Sequence, residues 1–156
     1  VGSVGEIGIR GPQDRAGYWQ RPAGTAKVMT PDGFFRSGDI GVMDADGYTK
    51  IVDRKKDMIL VSGFNVYPSE IESVIMTLPG VLECGVVGVP DAKTGEAVKA
   101  VVVRKDPALT KGAVIAHCKA HLTGYKLPRT VEFRDALPKT PIGKVLRREL
   151  RDAPTP

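Results

Sequence analysis

Apolar positions divide the chain into stretches of two periods. From Ile71 they recur at Val74, Ile75 and Leu78, the i, i+3, i+4, i+7 spacing of a helix with one buried face. Pro79-Gly80 ends that helix, and Ser69 with Glu72 has the spacing of a capping box just after Pro68. A second helix is predicted from about Lys111 to Leu122, burying Val114, Ile115, Cys118 and Leu122. Val81 to Val89 and Val98 to Val103 are continuous and β-branched, so they read as strands covered by helices. Met58 to Val61 and Val131 to Phe133 predict shorter strands, with Ser62 to Asn65 as a loop between the first of these and the helix.

Before Asp53 the pattern is different. Glu6 to Arg10 alternates polar and apolar residues and stops at Gly11-Pro12. Ile40 to Met43 and Tyr48 to Val52 flank Asp44-Ala45-Asp46-Gly47, a β-hairpin in which Gly47 supplies the positive φ of the turn. The fold class expected is α+β: residues 54–156 form a small domain with a mixed sheet and flanking helices. Residues 1–53 read as an incomplete β-subdomain, the end of a larger domain. Pro138 to Lys144 is a loop, a short charged helix follows, and residues 153–156 are expected to fray.

Composition narrows the classes. A content of 42% hydrophobic and 26% charged residues is that of a soluble globular protein, and no run reaches the roughly 18 apolar residues of a membrane helix. There is no initiator methionine and no basic, apolar leader, so a piece of a longer cytoplasmic protein is expected. Lys and Arg number 23 against 18 Asp and Glu, and the net charge of +5 suits an anionic partner. An acidic counterpart elsewhere in a longer protein explains the excess equally well. Nucleic acid is not expected, because the basic residues are not interleaved with aromatics. Cys84 and Cys118 lie in apolar surroundings without metal-ligand spacing and read as small core residues. His117 and His121 are one helical turn apart, yet no third ligand stands near, so no metal site is expected.

Three segments carry more than packing. In Phe34-Phe35-Arg36-Ser37-Gly38-Asp39 a carboxylate follows a glycine turn, where it can accept from two vicinal hydroxyls or serve the turn. Asp53-Arg54-Lys55-Lys56-Asp57, a charged knot, joins the two regions and leads to Ser62-Gly63-Phe64-Asn65. In Pro138-Lys139-Thr140-Pro141-Ile142-Gly143-Lys144 two prolines stiffen a loop that displays Lys144 at its end. With an ordinary lysine pKa of about 10.4, an exposed ammonium there stays charged and suits neutralisation of an anion.

In this order, from Gly5-Glu6-Ile7 through Leu150, the segments resemble the adenylate-forming enzymes: acyl-CoA synthetases, amino-acid adenylation domains and beetle luciferases. Asp53-Arg54-Lys55-Lys56-Asp57 followed by Gly63-Phe64-Asn65-Val66-Tyr67-Pro68-Ser69-Glu70-Ile71-Glu72 is similar to the fatty-acyl and aryl CoA ligases, and most to bacterial long-chain fatty-acid-CoA ligases, while Met58 to Gly63 differs from the loop of amino-acid adenylation modules. The resemblance implies two half-reactions: a carboxylate attacks the α-phosphate of ATP, then the thiol of CoA displaces AMP. By the same resemblance Asp39 and Arg54 would meet the ribose, Lys144 would be the catalytic lysine of adenylation, and Lys56 would be the hinge. Ser62, Gly63, Phe64 and Asn65 would line the pantetheine channel, where Gly63 leaves room for a thin ligand. The phosphate loop, the ligands of Mg2+ and the acyl pocket would belong to an N-terminal domain of the same protein, the expected partner, so the segment alone is expected to be inactive. Long fatty acids as substrates would allow loose membrane association. Two alternatives stay open: the tail of an amino-acid adenylation module that loads a carrier protein, and a non-catalytic module that binds a nucleotide or a partner.

Overall fold

A computed structural model describes residues 1–151; the fraying expected at 153–156 lies outside them. The chain forms two compact units, one ending at Lys56 and one beginning at Asp57.

In the first unit β1 (Val4–Ile9), β2 (Phe35–Met43) and β3 (Thr49–Arg54) make an antiparallel sheet in the order β1-β2-β3. The hairpin between β2 and β3 forms where the sequence places it, with Gly47 at φ +88° and the Asp44 carboxylate accepting from the N–H groups of Asp46 and Tyr48. A seven-residue helix, α1 (Pro22–Val28), was not legible: none of its residues is buried, so no apolar stripe marks it. Little is buried in this sheet beyond Phe35, Ile40 and Asp53, while Trp19 is 88% and Ile51 62% exposed.

The second unit has the expected α+β fold. Its sheet runs β5-β4-β7-β6, formed by β4 (Ile59–Val61), β5 (Phe64–Val66), β6 (Val81–Asp91) and β7 (Gly95–Arg104), and β8 (Thr130–Arg134) pairs parallel to β7. The other pairings are antiparallel. The apolar run of β7 has a simple cause: both faces are covered. Val98, Ala100 and Val102 point to one face, under α2 (Pro68–Met76) and α3 (Lys111–His121), with Val86, Ile71, Ile75, Val114 and Cys118. Val101 and Val103 point to the other, with Val87, Leu137 and Leu150 of α4 (Arg147–Arg151).

Two expectations fail here for identifiable reasons. Ser62 to Asn65 is not a loop. Ser62 and Gly63, at φ +50° and +86°, make a two-residue turn, and Phe64 and Asn65 enter β5. Two short strands zip through three residue pairs, too brief for the alternation to register in the sequence. The start of α2 also differs from the expected cap at Ser69. Pro68 occupies the first helical turn with Tyr67 at the cap, so Ser69 is already helical and its carbonyl accepts from the Ser73 hydroxyl. Glu72 instead turns its carboxylate to the backbone N–H of Val86, 2.8 Å away. The true side-chain cap is on α3, where Thr110 accepts from the Ala113 N–H.

Candidate functional site

In the first unit the Asp39 and Arg54 side chains meet. They are register partners across β2 and β3, and Arg54 Nε lies 2.9 Å from Asp39 Oδ1. Asp39 was expected after a glycine turn. The structure places both Gly38 and Asp39 inside β2, where φ +75° at Gly38 and a bulge at Ile40–Gly41 make the strand irregular. The Ser37 hydroxyl accepts from the Asp39 N–H, which fixes the backbone that carries the carboxylate. Gly38, Arg54, Lys55 and Lys56 line a shallow groove beside this pair. Its cationic lip is partly neutralised, since Lys55 Nζ lies 2.7 Å from Glu6 Oε2. Lys56 closes the unit within a single 3-10 turn, Lys55–Asp57.

In the second unit the candidates lie on opposite edges of one sheet. The turn at Ser62-Gly63 tips the β4–β5 hairpin, the outer strands on one side. Here Gly63 has nothing within 4 Å of where a Cβ would stand, so glycine answers the positive φ and not crowding by the protein. Phe64 stacks on Tyr125 with ring centroids 4.6 Å apart, and Lys126 binds Glu70 beside them.

The Lys144 loop lies along β6, the opposite edge. Its turn is closed by Gly143 N–H to Thr140 O at 2.9 Å, and Thr140 and Lys144 exchange two more hydrogen bonds at 2.8 and 3.1 Å. Lys139 and Val145 form a bridge across its base, and Lys139 pairs with Glu83 of β6. Among the described residues the Lys144 ammonium has no ion-pair partner, whereas Lys139 at the start of the loop and Arg147 after it each have one.

Several groups near this loop escaped the sequence. Arg147, three residues beyond Lys144, forks onto Glu72 through Nη2 at 2.8 Å and Nε at 3.3 Å, and its Nη1 reaches Asp57 at 3.4 Å. Lys99 is 1% exposed, donates to the Leu150 carbonyl and pairs with Glu132 at 2.7 Å. A charged terminal helix and a lysine in a strand look like solvated positions in sequence, so no signal marked them. Burial pushes the Glu132 carboxyl up, but hydrogen bonds and charges from Lys99 and Arg134 outweigh it and hold the group below its ordinary range.

Cys84 and Cys118 are free thiols. Burial pushes both up, with the Glu72 charge adding to the effect at Cys84, which suits inert packing and not nucleophilic attack. His117 is more than an exposed helix residue: its Nε2 lies 2.9 Å from the Thr77 hydroxyl and 3.1 Å from the Val74 carbonyl, tying α3 to α2. The described residues hold no group of three or more His, Cys, Asp or Glu able to bind a metal ion. No described helix is long and apolar enough to cross a membrane.

The family model of the AMP-binding enzyme C-terminal domain matches residues 70–144, ending on Lys144 itself. A long-chain-fatty-acid–CoA ligase of Salmonella typhimurium is 61% identical over 151 residues, 97% of this chain and 27% of that protein. The chain belongs to the adenylate-forming enzymes. A feruloyl-CoA synthase of an Amycolatopsis species is 48% identical over 96% of this chain and 30% of its own length. Among solved structures, ATP-bound MatB from Rhodopseudomonas palustris superposes with a TM-score of 0.91 at 43% identity, over 97% of this chain and 30% of that one. This member of the family thus spans about a quarter to a third of the proteins it matches.

Proposed function

We propose that the chain is the C-terminal part of an ATP-dependent fatty-acid-CoA ligase, which joins a carboxylate to CoA through an acyl-adenylate. The observation that carries this reading is the placement of two unlike elements on opposite edges of one sheet: the stiff Lys144 turn beside β6 and the Ser62-Gly63 hairpin at β5. A rigid body built this way offers one edge at a time to a common adenylate. That is what two successive half-reactions with different needs require. In adenylation the Lys144 ammonium neutralises charge gathering between the attacking carboxylate and the α-phosphate. In thioester formation Ser62, Gly63, Phe64 and Asn65 would border the pantetheine arm. Lys56, at the join of the two units, would be the hinge, and Asp39 with Arg54 would hold the ribose hydroxyls.

Residues 1–53 would be the end of the N-terminal domain and residues 54–156 the mobile C-terminal domain. Exposed Trp19 and Ile51 support a larger body around the first unit. The described residues offer no metal-ligating cluster; the ligands of Mg2+, the phosphate loop and the acyl pocket would lie in the N-terminal domain. The names of the relatives, a fatty-acid–CoA ligase and a feruloyl-CoA synthase, favour CoA over a carrier protein as acceptor. A cytoplasmic setting, with loose membrane association for long acyl chains, fits these substrates.

Lys144→Ala in the intact ligase tests the assignment. Acyl-dependent ATP–pyrophosphate exchange should fall by roughly two to three orders of magnitude, as when one transition-state donor is removed. Thioester formation from supplied acyl-adenylate should change little. Exchange at the normal rate would remove Lys144 from the chemistry.

A further inference from the structure

Lys144 can act only if its loop is held still relative to whatever turns it, and ahead of the turn the loop is tied to β6 by the Lys139–Glu83 pair. Its own turn is closed by hydrogen bonds among half-buried Thr140 and exposed Gly143 and Lys144. A second restraint comes from the chain just after it. Leu150 of α4 is fully buried against one face of the sheet, so close to Gly85 that a Cβ there would lie 2.6 Å from Leu150 Cδ1. Arg147 reaches around the β6 edge the other way, to Glu72 on α2, the helix covering the opposite face. Glu72 is itself fixed by accepting from the Val86 N–H of β6. Arg147 also reaches Asp57, the first residue after Lys56, which lies 3.7 Å from Arg151 as well. One half-buried guanidinium thus connects the exit of the lysine loop, the helix behind the sheet and the segment leaving the hinge position.

We infer that Arg147 is a positioning residue for adenylation: its fork onto Glu72 and its reach to Asp57 make the Lys144 loop and the segment after Lys56 one rigid lever. This rests on the adenylation role proposed for Lys144. A planar, bidentate guanidinium suits the task because it fixes orientation as well as distance, which a lysine ammonium does not. Without it α4 would keep its Leu150 anchor, but the loop's angle to the hinge segment would relax.

The test uses the intact ligase with Arg147→Met, Arg147→Lys, Lys144→Ala and the double variant Arg147→Met/Lys144→Ala. A displaced catalytic group costs up to about a hundredfold, so Arg147→Met should lower kcat of pyrophosphate exchange by roughly ten- to a hundredfold with KM for ATP little changed. Arg147→Lys should recover part of the loss. Thioester formation from supplied acyl-adenylate should stay near wild type in both. In the Lys144→Ala background the Met substitution should have almost no further effect, since there is no ammonium left to place. Equal loss in both half-reactions, a loss that adds to that of Lys144→Ala, or no loss at all would overturn the inference. An undiminished exchange rate in Lys144→Ala alone would instead refute the reading on which it rests.

Discussion

Buried charge in the second unit is paired. Lys99 is buried in the sheet because Glu132 and the Leu150 carbonyl receive its ammonium, and Arg134 reinforces Glu132. Asp91 is half-buried: the Thr94 hydroxyl, the Thr94 and Lys93 N–H groups and the Arg129 charge lower its pKa to about 2. Both carboxyl groups are depressed in the folded state, so each adds stability above its ordinary pKa and loses it as pH falls through the folded value. Acid should therefore destabilise the protein progressively below the ordinary values of 4.5 for Glu132 and 3.8 for Asp91. Glu132→Gln should lower stability at pH 7 and flatten that acid limb, as read from urea midpoints between pH 7 and pH 3. An unchanged acid limb in the variant would show that Glu132 is not linked to folding. The exposed Lys144 ammonium has no ion-pair partner among the described residues.

At the scale of elements, each helix depends on a different device. α2 begins with Pro68 at its first position and is held by Ile71 and Ile75, both fully buried. α3 depends more on its cap, since only Val114 and Cys118 along it are fully buried. Thr110→Ala should cost about 1 kcal/mol, measured as a shift in the denaturation midpoint with unchanged slope. No shift would mean that the Thr110–Ala113 bond contributes nothing net. The elements also show what a linear pattern can mislead about. Ser69 and Glu72 stand at capping distance, yet the proline ahead of them moved the helix start and freed Glu72 for Val86 and Arg147. Strand β4 was legible, but its partner β5 was read as loop because three residues after a turn cannot display a period. By contrast, the long strands, both main helices and the β2–β3 hairpin were legible, because each repeats its signal over several residues.

For the molecule as a whole, the two units differ in how much core they own. The second carries both buried clusters, whereas the first buries few residues in a three-stranded sheet. A chain of residues 57–156 should therefore fold alone with a cooperative thermal transition, and residues 1–56 should not, as followed by circular dichroism. A cooperative transition in the shorter piece would show that its small core suffices. The sequence by itself determined the α+β class, the covered strands and the residue types of the candidate site, because periodicity and turn chemistry act between near neighbours. Only the tertiary structure decided that Asp39 faces Arg54, that Lys99 is buried, and that Arg147 joins Glu72 to Asp57. Those pairings lie 15 to 90 residues apart along the chain, and which distant charge a side chain meets is set by strand register and helix docking.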